Sequence, residues 1–468
     1  MTTHPDHGSA PPAGCPAHTG RAFAVPLYGP DYAADPSRVY DQLRQYGPAA
    51  PVELAPDVHA TLVTGYYAAL EVLRNPQDFS KDPRRWRALA TGQIPADHSV
   101  IPMMGYRPNC LFSDGAAHTR LRQAVTDSLE RVDPHALRGH IQRSADRLID
   151  RLPDNGHAEL LTQYAGVLPL LIFNQMFGLA DSDSDRLVAA LAKMFEGGTG
   201  AKEGDAIFTR YMQDLVALKR AQPGADVTSW LMSHPVRLTD EEMVHQCTLL
   251  IAAGTEPVKN LIGNALRLLL ADDRFAGNLS GGSMPIDAAL DEVLWKDPPM
   301  VNYAIHYPVR ELDLRGVRLR AGEPVVIGFA AANTDPQLAS APIHRPGNRA
   351  HLSFSAGPHA CPAQNHARLI AAVAIERILD RLPDMELALP ADRLQWRPGP
   401  FHRALIALPV RFTPIRVNAT PGDSPWNPSP APSTWTHTAP TSTPRHPDSA
   451  TPARRRGWNS LVAWLRGR

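Results

Sequence analysis

The chain has 468 residues and carries 47 basic and 47 acidic side chains, so its formal net charge is zero. This balance gives no electrostatic case for nucleic acid as a partner, and a hydrophobic fraction of 43% suffices for a large core. The four cysteines form no CxxC pair, which argues against a zinc site or a disulfide framework and suits a reducing cytoplasm.

The beginning of the chain predicts a leader followed by mixed strands and helices. Residues 1–24 are polar and lack the apolar core of a signal peptide, so we interpret them as a flexible leader. No stretch reaches the roughly 18 apolar residues of a transmembrane helix, and we therefore expect a cytoplasmic protein. The β-branched run at residues 60–64 predicts a short strand, with helical patterns before and after it.

Residues 113–125 predict a helix that carries His118 and Arg122 one turn apart on the same face. Ser113 or Asp114 can cap its first turn. Two donor groups at this spacing suit a pair of carboxylates, and arginine can bind a carboxylate in bidentate fashion. The alternative is an ordinary basic face in contact with water.

A long helix is predicted between residues 238 and 273. Thr239 and Glu242 fit a capping box, and apolar positions recur at helical spacing as far as Leu270. Pro257 lies inside this pattern, has no N–H to donate and disfavours helical geometry at the residue before it. We therefore expect the helix to open at Pro257.

The last part of the folded region predicts a sheet and then a cysteine next to a helix. Residues 303–328 alternate between apolar and polar, which is a strand pattern. Cys361 follows a loop of small residues and precedes a helical run over 363–382, and a helix N-terminus favours the thiolate. Such a thiolate suits a soft metal such as haem iron, whereas the alternative is a buried, inert cysteine.

The spacing around this cysteine carries a family resemblance. Phe354, Gly357, His359 and Cys361, followed by Ala363 and a helix, resemble the haem-binding signature of the cytochrome P-450 family, with Ser355 where the family usually has glycine. The resemblance covers about residues 25–415. It implies a mainly α fold with small β-sheets (α+β), a triangular helical prism that encloses haem b, with Cys361 as the iron ligand.

The same resemblance assigns roles to residues elsewhere in the chain. It implies that His118, Arg122 and His359 contact the haem propionates. His306 falls where the family often has a propionate-binding arginine, and an ordinary strand histidine is the alternative.

In the predicted long helix, Ala253, Gly254 and Glu256 match the family's oxygen-binding turn, but Pro257 replaces its threonine. Glu256 is then either a proton relay or the N-terminal cap of a second half-helix.

A further departure lies in the helix at 288–300. Glu292 matches the first residue of the family's Glu-x-x-Arg motif, but Trp295 stands in place of the arginine, as in a small group of actinobacterial members. A buried carboxylate without its partner costs several kcal/mol, so Glu292 is either exposed or paired with another cation. We expect Arg345 to be that cation and Lys296 to face away.

The resemblance implies a haem-thiolate monooxygenase that inserts one oxygen atom from dioxygen into a small organic molecule such as a secondary metabolite. Electrons would come from NAD(P)H through a ferredoxin and a ferredoxin reductase, because the chain has no dinucleotide-binding fingerprint of its own. The alternative is a haem-binding partner or sensor protein with low or peroxide-dependent activity. Pro257 and Trp295 are the features that favour this alternative.

Composition changes sharply after the folded region. Residues 416–453 are dominated by proline, serine and threonine and predict a disordered linker. Residues 454–468 place tryptophan, leucine and valine on one helical face with arginines around them. This pattern fits a basic amphipathic tail that docks on an anionic membrane or an acidic partner, and a frayed tail is the alternative.

Overall fold

The structure is a computed structural model that describes residues 24–179, 198–272, 286–338 and 347–414. In the second of these ranges the side chains are described from residue 206 onward. The predicted linker and basic tail lie outside these residues, as does all of the predicted leader except its last residue.

Helices make up most of the described residues, and their bounds follow the sequence patterns closely. They are α1 (Pro30–Ala34), α2 (Pro36–Arg44), α3 (Tyr66–Arg74), α4 (Arg87–Ala90), α5 (Ile101–Met104), α6 (Gly115–Glu130), α7 (Pro134–Ile149), α8 (Leu168–Met176), α9 (Gly198–Ala221), α10 (Val227–Met232), α11 (Asp240–Ala271), α12 (Ile286–Lys296), α13 (Phe329–Asn333) and α14 (Gln364–Arg381).

The strands form small sheets at the side of the helices. They are β1 (Val25–Pro26), β2 (Ala49–Ala55), β3 (Val58–Val63), β4 (Phe79–Ser80), β5 (His157–Glu159), β6 (Asn302–Pro308), β7 (Leu312–Leu314), β8 (Val317–Leu319), β9 (Val325–Gly328), β10 (Glu386–Leu387) and β11 (Pro409–Arg411). Within the described ranges they form three sheets, in which the order of neighbouring strands is β1-β2-β3-β9-β6-β4, β10-β11-β5 and β7-β8. The predicted α+β class is confirmed.

The long helix α11 is the centre of the helical core. Its capping box forms as predicted, because the Thr239 hydroxyl accepts from the Glu242 N–H while the Glu242 carboxylate accepts from the Thr239 N–H. The helix packs against α8, α9, α12 and α14. The expected opening at Pro257 was wrong, since the helix continues through it to Ala271. An interior proline costs about 3 kcal/mol, which the packing around α11 must offset.

Among the described residues, no helix is long and apolar enough to cross a membrane.

A close approach joins α11 to α8. A Cβ added at Gly254 would collide with the ring of Phe173, and no ordinary side chain fits between these helices without displacing that ring. Phe173 is itself buried in the main core. The glycine therefore sets the distance between α8 and α11.

A β-bulge shapes the strand that carries His306. The pairing of β6 with β9 shifts register between Tyr303 and His306, and Ala304 has a φ of +49°. A bulge re-aims the side chains that follow it. His306 is buried, and its Nδ1 lies 2.5 Å from the carbonyl oxygen of Ala304.

We predict that Gly254→Ala lowers the free energy of unfolding by about 1–3 kcal/mol, because the new methyl group overpacks the contact with Phe173. At an uncrowded, exposed position inside a helix, replacement of glycine by alanine would instead raise the free energy of unfolding by about 0.5–1 kcal/mol. Gly139→Ala in α7 is the matched control, because its Cβ would meet only the end of the Arg143 side chain at 3.4 Å. The free energy of unfolding of each variant is measured with urea. An equal increase in both variants would contradict the prediction.

Candidate functional site

The loop before α14 holds Cys361 in a defined backbone geometry. The Cys361 N–H donates to the carbonyl oxygen of Phe354 at 2.8 Å, which closes the loop. Gly357 has a φ of +69°, and a side chain there would collide with the backbone carbonyl of Leu73. The loop is thus pressed against α3, and only glycine fits at that point.

The structure refines the prediction of where the helix after Cys361 begins. The first helical residue is Gln364, with Ala363 as N-cap. Pro362 therefore precedes the cap and does not occupy the first helical position.

Two opposing effects act on the Cys361 thiol. Burial raises its pKa, while the Ala363 N–H and the Arg122 guanidinium lower it, and burial is the largest of these effects. The expected thiolate-favouring groups are therefore present but are outweighed by burial. Although protein surrounds the side chain, Cys361 keeps partial access to solvent.

Ser355 adopts a backbone conformation that is essentially reserved for glycine. Its φ of 63° and ψ of −171° lie in a region that strains a residue with a Cβ by about 1–3 kcal/mol. Its hydroxyl is buried and has no hydrogen-bond partner within the described residues. The family's glycine at this position is therefore explained by backbone geometry, and this chain accepts strain there.

The predicted donors His118, Arg122 and His359 are brought together. The rings of His118 and His359 stack with their centroids 3.9 Å apart. Arg122, one turn after His118, donates from Nη2 to the carbonyl oxygen of Ala360, next to the cysteine. The Nε2 atom of His118 is buried and has no hydrogen-bond partner within the described residues. A buried polar atom of this kind is available for a hydrogen bond to a bound group.

A buried lysine that the sequence pattern did not indicate completes this group. Lys81 follows β4, is only 3% exposed, and donates from Nζ to the carbonyl oxygen of Ile305 at 2.7 Å. Burial lowers its pKa to about 7, an effect that the Asp114 carboxylate partly opposes. Lys81 could not be recognised from the sequence, because an isolated lysine is usually exposed.

The same side chains lower one another's affinity for protons. Burial lowers the pKa of His359 far below its ordinary value, and Lys81, His118, His306 and Arg122 all lower it further. Burial, then Lys81, also lowers the pKa of His306. We call these five residues the basic cluster: Lys81, His118, Arg122, His306 and His359. A cluster with this electrostatic character favours a bound anion such as a carboxylate.

The central part of α11 shows which residues border open space. Ala253 is exposed and Pro257 is partly exposed, whereas Thr255 and Glu256 are buried. The Thr255 hydroxyl donates to the Ile251 carbonyl oxygen at 2.6 Å, so it is used within the helix. The match of Gly254 to the oxygen-binding turn stays a prediction: the residue is partly exposed, and a Cβ added there would point at Phe173.

Glu256 lies in a buried network of charges. Its carboxylate contacts Arg397 at 2.7 Å and Lys259 at 3.4 Å. Burial alone would raise its pKa, but Lys259, Arg397 and His402 together hold the pKa well below its ordinary value. Because α11 is unbroken, Glu256 does not cap a second half-helix, and that alternative is wrong.

The charged residues of α12 pair both within the helix and with α14. Glu292 pairs with Lys296 at 2.9 Å, so the expectation that Lys296 faces away was wrong, because positions four apart share one helix face. Arg345, the expected partner, lies outside the described residues. Asp291, one residue before Glu292, is buried and contacts Arg368 of α14 at 2.6 Å. This ion pair links the two helices.

Trp295 takes part in the same region through its indole. Its Nε1 donates to the Asn348 carbonyl oxygen at 2.9 Å. Its ring lies 5.8 Å from that of His351, which lies 5.8 Å from that of Phe354 in the cysteine loop. The indole thus supports the loop through aromatic packing where an arginine would use ion pairs.

Comparisons with known proteins place this geometry in context. No family model matches the chain. The chain is 33% identical over 396 residues to the cytochrome P-450 monooxygenase PikC of Streptomyces venezuelae, across 82% of this chain and 92% of that protein. It is 28% identical to a 2-hydroxy-5-methyl-1-naphthoate 7-hydroxylase of Streptomyces carzinostaticus, across 79% and 93% of the two chains. CYP154C4 from Streptomyces sp. W2061 is structurally similar, with a TM-score of 0.75, 28% identity and coverage of 83% and 97%.

We predict that Ser355→Gly raises the free energy of unfolding by about 1 kcal/mol or more, because glycine adopts this backbone conformation without steric strain. Ser355→Ala is the matched control, since it removes the hydroxyl but keeps the Cβ and the strain. Urea unfolding should separate the two variants. Equal stabilisation by both would show that the unpaired hydroxyl, and not the backbone, carries the cost.

We predict that Glu256→Gln lowers the free energy of unfolding by about 3 kcal/mol at pH 7, because Lys259 and Arg397 lose a buried partner. The folded-state pKa of Glu256 is depressed, so its stabilisation is present above the ordinary pKa of 4.5. It is lost below that pH by about 1.4 kcal/mol per pH unit.

Urea unfolding at pH 7 and at lower pH should therefore show the difference between wild type and Glu256→Gln narrowing below pH 4.5. Glu311→Gln is the control, because it removes an exposed pair with Arg318 and should leave stability unchanged. A difference that is independent of pH would contradict the prediction.

Proposed function

The chain belongs to the cytochrome P-450 family and is a monooxygenase with haem b as cofactor, and we propose that it hydroxylates a small secondary metabolite with electrons from a ferredoxin-type partner. PikC is named as a monooxygenase and the second relative as a hydroxylase of a substituted naphthoate, which supports hydroxylation of a small organic molecule. The single observation that carries the proposal is a partly accessible Cys361 beside Lys81 and Arg122, neither of which has a carboxylate partner within the described residues.

The residues at the site fit haem b. A thiol with partial solvent access suits the iron, and the Nε2 of His118 together with the other donors of the basic cluster suits the propionates. We assign Cys361 as the iron ligand, and His118, Arg122, His306 and His359 as propionate contacts. When bound, haem supplies the dioxygen and one-electron chemistry that the amino acids lack.

Phe354 and Gly357 are proposed to shape the loop that presents Cys361. The hydrogen bond from the Cys361 N–H to Phe354 and the close contact of Gly357 with α3 leave the loop little freedom. A preorganised loop lowers the cost of binding, because it does not need to be ordered when the cofactor enters.

The open face of α11 is proposed to border the substrate. Ala253 and Pro257 lie one turn apart, and both present apolar surface that suits an apolar substrate. Since Pro257 has no N–H, the carbonyl oxygen of Ala253 lacks its usual donor four residues on. That carbonyl is a proposed acceptor for a water molecule or for a substrate hydroxyl.

Glu256 remains our candidate for the proton relay. The threonine of the family motif is absent, and the Thr255 hydroxyl is used within the helix. Glu256 is kept ionised by Lys259 and Arg397, and Lys259 and His402 beside it are titratable groups with lowered pKa values. A relay through Glu256 would exchange protons with one of these neighbours.

Electron delivery is assigned to separate proteins. The sequence has no Gly-x-Gly-x-x-Gly dinucleotide-binding fingerprint in a strand–helix context. We therefore propose that a ferredoxin and its NAD(P)H-dependent reductase deliver the electrons. Product formation with these proteins, using labelled dioxygen, tests this part of the proposal. Incorporation of one labelled oxygen atom per product is expected. Turnover that occurs with peroxide but not with the ferredoxin and its reductase would contradict this part of the proposal.

We predict that the reduced, carbon-monoxide-saturated protein shows the strongly red-shifted Soret band of thiolate-ligated haem, and that Cys361→Ser abolishes this shift. Cys110→Ser is the matched control, because Cys110 is buried, with a pKa raised by burial to about 11. It should leave the band in place. A wild-type protein that binds haem without the shift would contradict the assignment of Cys361.

A further inference from the structure

Lys81 stands apart from the other buried lysines because it has no carboxylate partner. Lys219 contacts Asp226 at 2.9 Å and Lys259 contacts Glu256 at 3.4 Å, whereas in the described ranges no carboxylate lies within ion-pair distance of the Lys81 ammonium. Taking an ammonium out of water costs several kcal/mol unless an opposite charge compensates it. One hydrogen bond to the Ile305 carbonyl does not supply that charge.

The position of Lys81 is fixed by its backbone. The Asp114 carboxylate accepts the Lys81 N–H at 2.9 Å and the Ser80 hydroxyl at 2.5 Å. Asp114 is also the N-cap residue of α6, the helix that carries His118 and Arg122. The lysine is therefore clamped to the start of the helix whose donors we assign to the propionates.

Lys81 also lies beside His306, the residue that replaces the family's arginine. Its ammonium is bonded to the carbonyl of Ile305, directly before His306 in β6. The His306 ring is fully buried, and its Nδ1 is already engaged with the Ala304 carbonyl. The pKa of His306 lies well below its ordinary value because of burial and of Lys81, which disfavours a charged ring.

We propose that the Lys81 ammonium binds a propionate carboxylate of haem b and supplies the positive charge that His306 lacks. The inference rests on the proposed function and adds a binding residue to it. An anion beside Lys81 would compensate the buried ammonium and raise its pKa from about 7 toward the ordinary value. The lysine and the histidine would together do what one arginine does elsewhere in the family.

The test compares Lys81→Met with Lys219→Met, a second buried lysine whose partner is Asp226. Haem loss is measured by transfer to excess apomyoglobin, and thermal unfolding is measured on the haem-free proteins. Lys81→Met should speed haem loss at least about tenfold, the effect of losing a charged hydrogen bond. Its haem-free form should melt at or above the wild-type temperature, because an unpaired buried charge has been removed.

Lys219→Met should show the opposite pattern, with a lower melting temperature of the haem-free protein and an unchanged rate of haem loss. Lys81→Arg keeps the charge and should restore slow haem loss. Lys81→Gln repeats the test if the methionine variant fails to accumulate, with the same expected result.

The outcomes separate this inference from the proposed function. Unchanged haem loss in Lys81→Met, while the wild type binds haem and shows the thiolate spectrum, overturns the role of Lys81 alone. A haem-free Lys81→Met protein that is destabilised like Lys219→Met would show a structural role and also overturn it. A wild-type protein that binds no haem would overturn the proposed function as well.

Discussion

The concentration of positive charge beside the cysteine loop is the constraint on which the site depends. Within the described residues, neither Lys81 nor Arg122 is paired with a carboxylate, although Lys81 is buried and Arg122 partly so. Buried charges that repel each other destabilise a folded chain unless an anion joins them. On the proposed assignment of these residues to the haem propionates, a cofactor with two carboxylates would relieve this electrostatic cost and so stabilise the folded chain.

Elsewhere the chain pairs its buried charges and uses them to connect elements. Asp291 and Arg368 join α12 to α14 at 2.6 Å, and Glu256 joins α11 to the segment that contains Arg397 at 2.7 Å. Breaking one such pair leaves the other charge uncompensated, so each pair restricts how its elements can move.

Three of the departures from the family pattern, at Ser355, Pro257 and Trp295, have different physical consequences. Ser355 keeps the backbone conformation of a glycine and accepts the strain. Pro257 removes a hydrogen bond but leaves α11 continuous, because packing on several sides of the helix outweighs the loss of one bond. Trp295 replaces an ion pair with an indole hydrogen bond and aromatic contacts to the cysteine loop. In each case tertiary contacts absorb the change.

The sequence by itself determined the features that depend on near neighbours in the chain. The capping box of α11, the start of α14 near Cys361 and the spacing of His118 and Arg122 all follow from residues a few positions apart. Only the tertiary structure decided that Glu256 pairs with Arg397, 141 residues away along the chain. It also decided that Lys81 lies beside Ile305, 224 residues away. The pattern of residues along one helix or strand does not predict such contacts. They form only when elements that are far apart in the sequence pack against each other.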